Sequence, residues 1–197
     1  FRQAIALDPN RSESHRDFAK FFFAPLGRAT EAIQQLRLAE KADPLAPDVH
    51  NLLSSALISA GRYAEAAQEC DKLPPDYWGK IECLANVRLE MGRTNDAIRL
   101  LETAFHSNLS KGSEVIGALG DAYVRAGRRD DAERLAAESP FNPLNQARIY
   151  AVLGDKDRTF EALDRASVSG PFRIGRALTS PYYALIKGDP RLKALRK

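Results

Sequence analysis

Apolar residues recur along the chain at intervals of three, four and seven positions. In one segment Ile116, Leu119 and Tyr123 follow this spacing, and Ala132 and Ala136 resume it after a short polar stretch. Residues at such intervals lie on one face of an α-helix. The pattern therefore predicts a pair of helices that meet through narrow apolar faces.

A glycine also recurs once per segment, five residues ahead of a small residue. The pairs are Gly27 and Ala32, Gly61 and Ala66, Gly92 and Ala97, Gly127 and Ala132, and Gly154 and Thr159. Glycine accepts the left-handed backbone that ends a helix. Successive glycines lie 34, 31, 35 and 27 residues apart, a spacing typical of helix-turn-helix repeats. A further glycine, Gly120, lies on the packing face, where it would let a partner helix approach closely.

These anchors predict five helical hairpins. They cover residues 12–44, 46–74, 76–109, 112–139 and 141–168. The hairpin at residues 12–44 needs one extra residue near Pro25, so we expect a distorted turn there, with Phe22 on the packing face.

Prolines separate some of the hairpins. Pro74 and Pro75 follow one hairpin, and Pro140 follows another. Proline cannot continue a helix interior without losing a hydrogen bond. The preceding helices are therefore expected to end near Leu73 and Ser139.

Both ends of the chain depart from the pattern. Residues 1–9 begin with Phe1 and not Met and read as the second half of a further repeat, so we expect a fragment of a longer protein. After the last hairpin the periodicity lapses until Ser180-Pro181 and Asp189-Pro190, where a capping side chain precedes a proline. These pairs predict short C-terminal capping helices within residues 170–197.

The recurring positions resemble the tetratricopeptide repeat, whose pattern runs W-x-x-L-G-x-x-Y, then A-x-x-x-F, then P. Phe1, Ala4 and Pro9 match its last three anchors, and Asp43-Pro44 closes the following unit. The pattern's tryptophan position is never filled by tryptophan. The resemblance covers residues 1–168, and another family of helical hairpin arrays is the alternative.

The resemblance implies an all-α fold, a right-handed superhelical solenoid of antiparallel helix pairs that forms a single array over residues 1–197. It also implies a non-enzymatic scaffold whose first helices line a concave groove for a peptide or protein segment. Residues offset from the packing face of each first helix are expected in that groove; a solvated polar surface is the alternative. The predicted groove residues are Arg16, Lys20, Asn51, Ser55, Glu82, Asn86, Asp121, Arg125 and Arg148.

A second resemblance concerns the C-terminal region. The ending GDPRLKALRK and the hairpin LNQARIYAVLGDKDRTFEALDRA are similar to the closing region of bacterial multidomain proteins, in which such repeats follow a winged-helix, kinase or nucleotide-cyclase domain. This similarity implies a cytoplasmic, regulatory or sensory part of a larger protein. Self-association through the N-terminal edge and service as a substrate-recruiting arm are the alternatives.

Composition adds constraints on partners. The chain carries 29 Lys and Arg against 26 Asp and Glu, with the two signs interspersed, so no basic face predicts nucleic-acid binding. No stretch approaches the roughly 20 apolar residues of a membrane span. The two cysteines, Cys70 and Cys83, lack zinc-site spacing and are interpreted as small buried thiols.

Candidates for catalysis or cofactor binding all have a structural explanation. His15 and His50 occupy the same repeat position, which predicts packing, and His106 has no second ligand nearby in the sequence. The carboxylates of Glu65-Ala-Ala-Gln-Glu69 and Asp130-Asp131 lie in a helical pattern at positions expected to face solvent. Trp78 is interpreted as a core residue at a joint. The sequence therefore predicts no catalytic residue, no cofactor and no metal.

Overall fold

The computed structural model describes residues 1–107, 115–139, 142–168, 178 and 181–195. These residues form helices and turns and no strand, which confirms the predicted all-α class of helix pairs. The helices are α1 (Arg2–Leu7), α2 (Ser12–Phe18), α3 (Ala29–Ala42), α4 (Pro47–Ser59), α5 (Tyr63–Asp71), α6 (Lys80–Glu90), α7 (Thr94–His106), α8 (Val115–Arg125), α9 (Arg129–Ala137), α10 (Pro143–Leu153), α11 (Lys156–Ser167), a 3-10 helix (Pro181–Ile186) and α12 (Leu192–Leu195).

The helices group into two compact units, residues 1–90 and 91–197, called here the first and second unit. In the first unit, α2 pairs with α3 and α4 pairs with α5, while α6 packs on α4 and α5. In the second unit, α8 pairs with α9 and α10 pairs with α11, and α7 packs on α8. The organisation of the whole chain as a single array stays a prediction.

The small residues after the glycines lie where the two helices of a hairpin meet. Ala32 and Ala66 are buried in the core of the first unit, together with Leu36, Leu53 and Leu57. A methyl group at the crossing lets the backbones approach closely, and the leucines fill the space on either side. The core is therefore continuous from one hairpin of this unit to the next.

The repeating glycines end the first helices as expected. Gly27, Gly61, Gly92, Gly127 and Gly154 have φ between +68° and +88°. After Gly27, Gly61, Gly127 and Gly154 the next residue donates its backbone N–H to a carbonyl five residues back, as Arg128 does to Tyr123 at 2.8 Å. This arrangement satisfies carbonyls that the end of the helix would leave unpaired.

An ion pair that the sequence pattern did not reveal accompanies these turns. The arginine after the glycine bonds the acid three residues later in Arg28–Glu31, Arg62–Glu65, Arg93–Asp96 and Arg128–Asp131. In the last hairpin the charges are exchanged, and Asp155 pairs with Arg158 at 2.7 Å. Such exposed pairs contribute little stability each. They recur because both residues lie on the first turn of the second helix.

The close approach predicted at Gly120 is confirmed, but its neighbour is α10 and not the paired helix α9. A Cβ atom added to Gly120 would lie 2.3 Å from Cγ1 of Ile149 on α10. The two first helices of successive hairpins therefore touch through a bare backbone.

The expected distortion near Pro25 is present. A π-helical turn spans Ala19–Phe23, and a 3-10 turn follows over Ala24–Leu26. The π-turn absorbs the extra residue, so Phe23 is 8% exposed while Phe22 is 39% exposed. The assignment of Phe22 to the packing face is therefore wrong, because one inserted residue moves that role to Phe23.

The joint after α5 differs from the sequence interpretation in two ways. Cys70 and Cys83 form a disulfide between α5 and α6 and are not separate thiols. Trp78, in the loop that this disulfide spans, is 63% exposed and does not fill the core. The helix ends predicted near Leu73 and Ser139 are found at Asp71 and Ala137.

The C-terminal region places two short helices against the last hairpin. The 3-10 helix beginning at Pro181 packs on α10 and buries Tyr183 and Ile186. Arg191, just before α12, bonds Asp157 of α11 at 2.8 Å. The capping role predicted for residues 170–197 stays a prediction, and residues 170–177, 179–180 and 196–197 lie outside the described residues.

Candidate functional site

The predicted groove residues of the first unit lie on three successive first helices. Arg16 is on α2 and bonds its neighbour Asp17 at 2.9 Å. Lys20 lies in the π-turn, with its ammonium 5.1 Å from the ring centre of Phe21. Among the described residues no carboxylate pairs with Lys20. This end of the surface therefore offers a cation that can pair with an anionic group.

The middle of this surface is an amide held at a close helix contact. A Cβ on Gly79 would lie 3.2 Å from Nδ2 of Asn51, and 3.0 Å from Cε1 of Tyr77. The absence of a side chain at Gly79 leaves the space that the half-buried Asn51 occupies. An amide in this position can donate and accept hydrogen bonds, as an extended peptide backbone requires.

The remaining groove residues of the first unit make bonds within their own helices. Ser55 donates to the carbonyl of Asn51 at 3.0 Å. On α6, Nδ2 of Asn86 donates to Glu82 at 3.3 Å. Both pairs have i, i+4 spacing and so lie along one face of their helix.

Tyr77 connects the loop before α6 to the first turn of α4. Its hydroxyl donates to Oδ1 of Asp48 at 2.7 Å. Burial, reinforced by the Asp48 carboxylate, raises the pKa of Tyr77 well above its usual value. The phenol therefore stays protonated and keeps donating. This bond fixes the loop beside Asn51.

In the second unit the predicted groove residues form a closed ion cluster. Asp121 accepts from Nε of Arg125 at 3.0 Å and from Nη2 of Arg148 at 3.4 Å. The guanidinium of Arg148 lies 3.6 Å from the ring centre of Tyr182. Asp121 and Arg148 are 2% and 7% exposed, because the 3-10 helix covers α10. Neither offers surface to a partner in this conformation.

A buried charged cluster in the first unit was not anticipated from sequence. Glu69 of α5 is 2% exposed, so its assignment to a solvated face is wrong. Oε2 of Glu69 lies 2.9 Å from Nδ1 of His50, and the Pro44 carbonyl oxygen lies 2.8 Å from Nε2 of His50. His50 is buried as expected, but it joins three elements by hydrogen bonds and does more than fill space.

Two cations complete this cluster. Arg37 of α3 bonds Glu69 at 2.6 Å, and Lys72 bonds Glu40 at 2.6 Å and Glu69 at 3.0 Å. Burial opposes the charge of both carboxylates, but the hydrogen bonds outweigh it and hold the pKa of Glu69 and of Glu40 below the usual value. The cluster ties α3, α4 and α5 together.

The same cluster contains the one candidate metal set among the described residues. Ligand atoms of Glu40, His50 and Glu69 lie within 4.8 Å of one another. Arg37 and Lys72 already neutralise the two carboxylates at hydrogen-bond distance. A divalent cation would have to displace both, so the residues present do not fit a metal. With both ring nitrogens of His50 also bonded, the cluster is suited to holding helices together.

Acid is expected to weaken this cluster. Because the pKa of Glu69 is lowered in the folded state, its contribution is fully present above the ordinary carboxyl pKa of about 4.5 and is lost as the pH falls through the folded value. The unfolding free energy of the natural chain should therefore approach that of Glu69→Gln between pH 5 and pH 3, measured by urea denaturation. A constant difference over that range would contradict the assignment.

A signal in the sequence could have identified part of this cluster. His15 repeats the geometry of His50: its Nε2 lies 2.9 Å from the Pro9 carbonyl and its Nδ1 lies 2.8 Å from Gln35. In both hairpins an Asp-Pro pair precedes the histidine, and a polar residue follows it about 20 positions later on the second helix. The repetition of His, Pro and this partner marks a hydrogen-bonded tie between hairpins.

None of the described helices combines the length and the apolar character needed to cross a bilayer.

Comparison with known proteins agrees with this architecture. Models of the tetratricopeptide repeat match residues 23–80 and 84–155. The crystal structure of TTC0263, a thermophilic TPR protein of Thermus thermophilus, superposes with a TM-score of 0.65 at 19% identity, over 85% of this chain and 98% of that one. YrrB, described as a TPR protein with an unusual peptide-binding site, gives 0.51 at 17% identity, over 89% and 94%.

No curated protein sequence matches the chain. The two repeat matches together span most of its length, and both fall in the part of the chain that forms paired helices. The helix pairs, the glycine-ended first helices and the small residues at the crossings are those of the repeat. The chain belongs to the tetratricopeptide repeat family.

Proposed function

We propose that the first unit binds an extended protein segment along α2, α4 and α6. The observation that supports this most directly is the row of polar side chains on these three first helices. Lys20, Asn51 and Asn86 supply a cation and two amides at positions offset from the core. Members of this family act in protein–protein interaction, and YrrB is described as having a peptide-binding site.

The proposed surface consists of Arg16, Lys20, Asn51, Ser55, Glu82 and Asn86. A bound segment would place backbone amides against Asn51 and Asn86 and an acidic group near Lys20. Asp121 and Arg148 are left out because the second unit buries them. The role is binding without chemistry, within the regulatory part of a larger cytoplasmic protein, and direct contact with nucleic acid is not part of it.

A matched pair of variants tests this surface. The probe is a twelve-residue peptide selected from a random display library against the natural chain. Lys20→Ala, Asn51→Ala and Asn86→Ala together should weaken its binding about tenfold or more, since each lost hydrogen bond contributes roughly 1 kcal/mol. Isothermal titration calorimetry gives the dissociation constants.

The control removes one lysine and two side-chain amides from second helices. Lys41, Gln34 and Gln68 are exposed on α3 and α5, and their combined replacement by alanine should leave the affinity unchanged. Equal weakening in both triple variants would contradict peptide binding in the groove. Circular dichroism of each variant checks that helicity is retained.

Self-association is a second candidate, favoured by the N-terminal edge of the first unit. Helix α1 buries none of its residues, and Phe1, Leu7 and Phe22 are exposed there. A second copy could cover this edge. Light scattering of the natural chain and of Phe1→Ser with Phe22→Ser distinguishes the two: a dimer that the substitutions dissociate supports self-association, and a monomer in both cases removes it.

A further inference from the structure

The disulfide occupies a repeat position that is a leucine in most of the other hairpins. Four residues after the small residue of each hairpin lie Leu36, Leu101 and Leu163, all buried. The corresponding residue of the α4–α5 hairpin is Cys70, which is bonded to Cys83 on α6. A covalent bond therefore takes the place of a large apolar side chain where this hairpin meets the next first helix.

Polar contacts also hold the loop that the disulfide spans. The ammonium of Lys80 donates to the carbonyl of Leu73 across the loop. The hydroxyl of Tyr77 donates to Asp48 on α4, and Gly79 fits against Asn51. All three contacts lie between α6 and the α4–α5 hairpin. The spacing of these elements thus depends on the covalent bond, on these polar contacts, and on the packing of Val87 and Leu84 of α6 in the core.

We propose that the Cys70–Cys83 disulfide is a redox-controlled joint. A dithiol reductant opens it, and α6 then moves away from α4 and α5 and, without their support, opens its own backbone hydrogen bonds more often. Two thiol sulfurs cannot approach each other as closely as two bonded sulfurs, so reduction removes the covalent bond and also pushes α6 away from α5.

Opening the disulfide is a thiol–disulfide exchange in which the reductant is oxidised and the protein is reduced. A thiolate of the dithiol attacks the sulfur of Cys83, which is slightly exposed while Cys70 is fully buried, and the sulfur of Cys70 leaves as a thiolate. The second thiol of the reductant then displaces Cys83, and the reductant leaves as a disulfide. Two electrons and two protons pass to the protein, which ends with two thiols. The chain has no third cysteine that could take part.

The joint affects the surface proposed for binding. Asn51 is on α4 and Asn86 is on α6, so their separation changes when α6 moves. An effect of reduction on peptide binding rests on the proposed function, whereas the movement of α6 does not. In a reducing cytoplasm, persistent structural disulfides are rare, and those that form are usually transient or redox-sensing.

Hydrogen–deuterium exchange of the intact chain with and without dithiothreitol tests the joint. Reduction should raise amide exchange within Lys80–Glu90 by about 30-fold or more, the change expected when a cross-link of this loop size is lost. Exchange in α3 should stay constant. Mass spectrometry after alkylation confirms that both thiols have formed. The single tryptophan, Trp78, reports loop motion independently through its fluorescence anisotropy.

Two variants separate the joint from general stability. Cys70→Ser with Cys83→Ser should show the fast exchange without reductant and no response to it. Cys70→Leu with Cys83→Ala restores the leucine of the other hairpins and should exchange slowly under both conditions.

Three results would overturn the joint: unchanged exchange in α6 after complete reduction, loss of protection in α3 as well, or resistance of the folded chain to excess dithiothreitol. Loss of peptide binding in both redox states, with the exchange result intact, would remove the proposed function and leave the joint standing.

Discussion

Replacing Gly120 with leucine should lower the unfolding free energy of the second unit by about 1–3 kcal/mol. The first atom of any side chain would lie 2.3 Å from Cγ1 and 2.8 Å from Cδ1 of Ile149. Neither helix backbone can yield without disturbing the hairpin behind it. Urea denaturation followed by circular dichroism gives the change.

Alanine at the same position separates steric overlap from helix propensity. Alanine favours a helix over glycine by about 1 kcal/mol, so a neutral site would be stabilised by Gly120→Ala. Here we expect destabilisation, and we expect Ile149→Ala to relieve part of it in the double variant. A Gly120→Ala chain that unfolds at higher urea than the natural chain would contradict the register of α8 on α10.

Replacing Glu69 with glutamine should cost the first unit about 2–3 kcal/mol. Removing one partner of a buried ion pair typically costs about 3–5 kcal/mol, because the other charge is left unpaired. Arg37 and Lys72 are partly exposed and can regain water, which reduces the loss.

Glu65 is the matched control for this substitution. It lies on the same helix one turn earlier, pairs with the exposed Arg62, and touches the cluster only through a 3.6 Å contact with Arg37. Glu65→Gln should change the unfolding free energy by less than about 1 kcal/mol, as is usual for surface pairs. Equal effects of the two substitutions would show that the cluster around Glu69 stabilises the first unit no more than an exposed ion pair does.

The repeat period was sufficient to predict the hairpins. Each glycine with positive φ and each small residue at a crossing follows from backbone sterics, so their positions can be read from one sequence. The extra residue near Pro25 was also detectable as a break in the period. The effect of this residue on the core was not detectable, because a π-turn and a longer turn would place Phe22 and Phe23 differently.

The polar interior could not be predicted in the same way. Glu69 lies where a helical pattern places exposed residues, and its burial depends on charges supplied by α3 and α4. Asp121 and Arg148 were expected on an open groove but pair under a cover formed by the C-terminal residues. Long-range partners of this kind leave no periodic signal. The disulfide was missed for the same reason, since only the fold brings Cys70 next to Cys83.

The proposed groove is tested most directly by nuclear magnetic resonance of the natural chain titrated with the library-selected peptide. The side-chain amide signals of Asn51 and Asn86 should shift together, with one dissociation constant, while those of Gln34 and Gln68 on the second helices stay in place. Shifts confined to Gln34 and Gln68, or absent from Asn51 and Asn86 at saturation, would contradict binding along α2, α4 and α6.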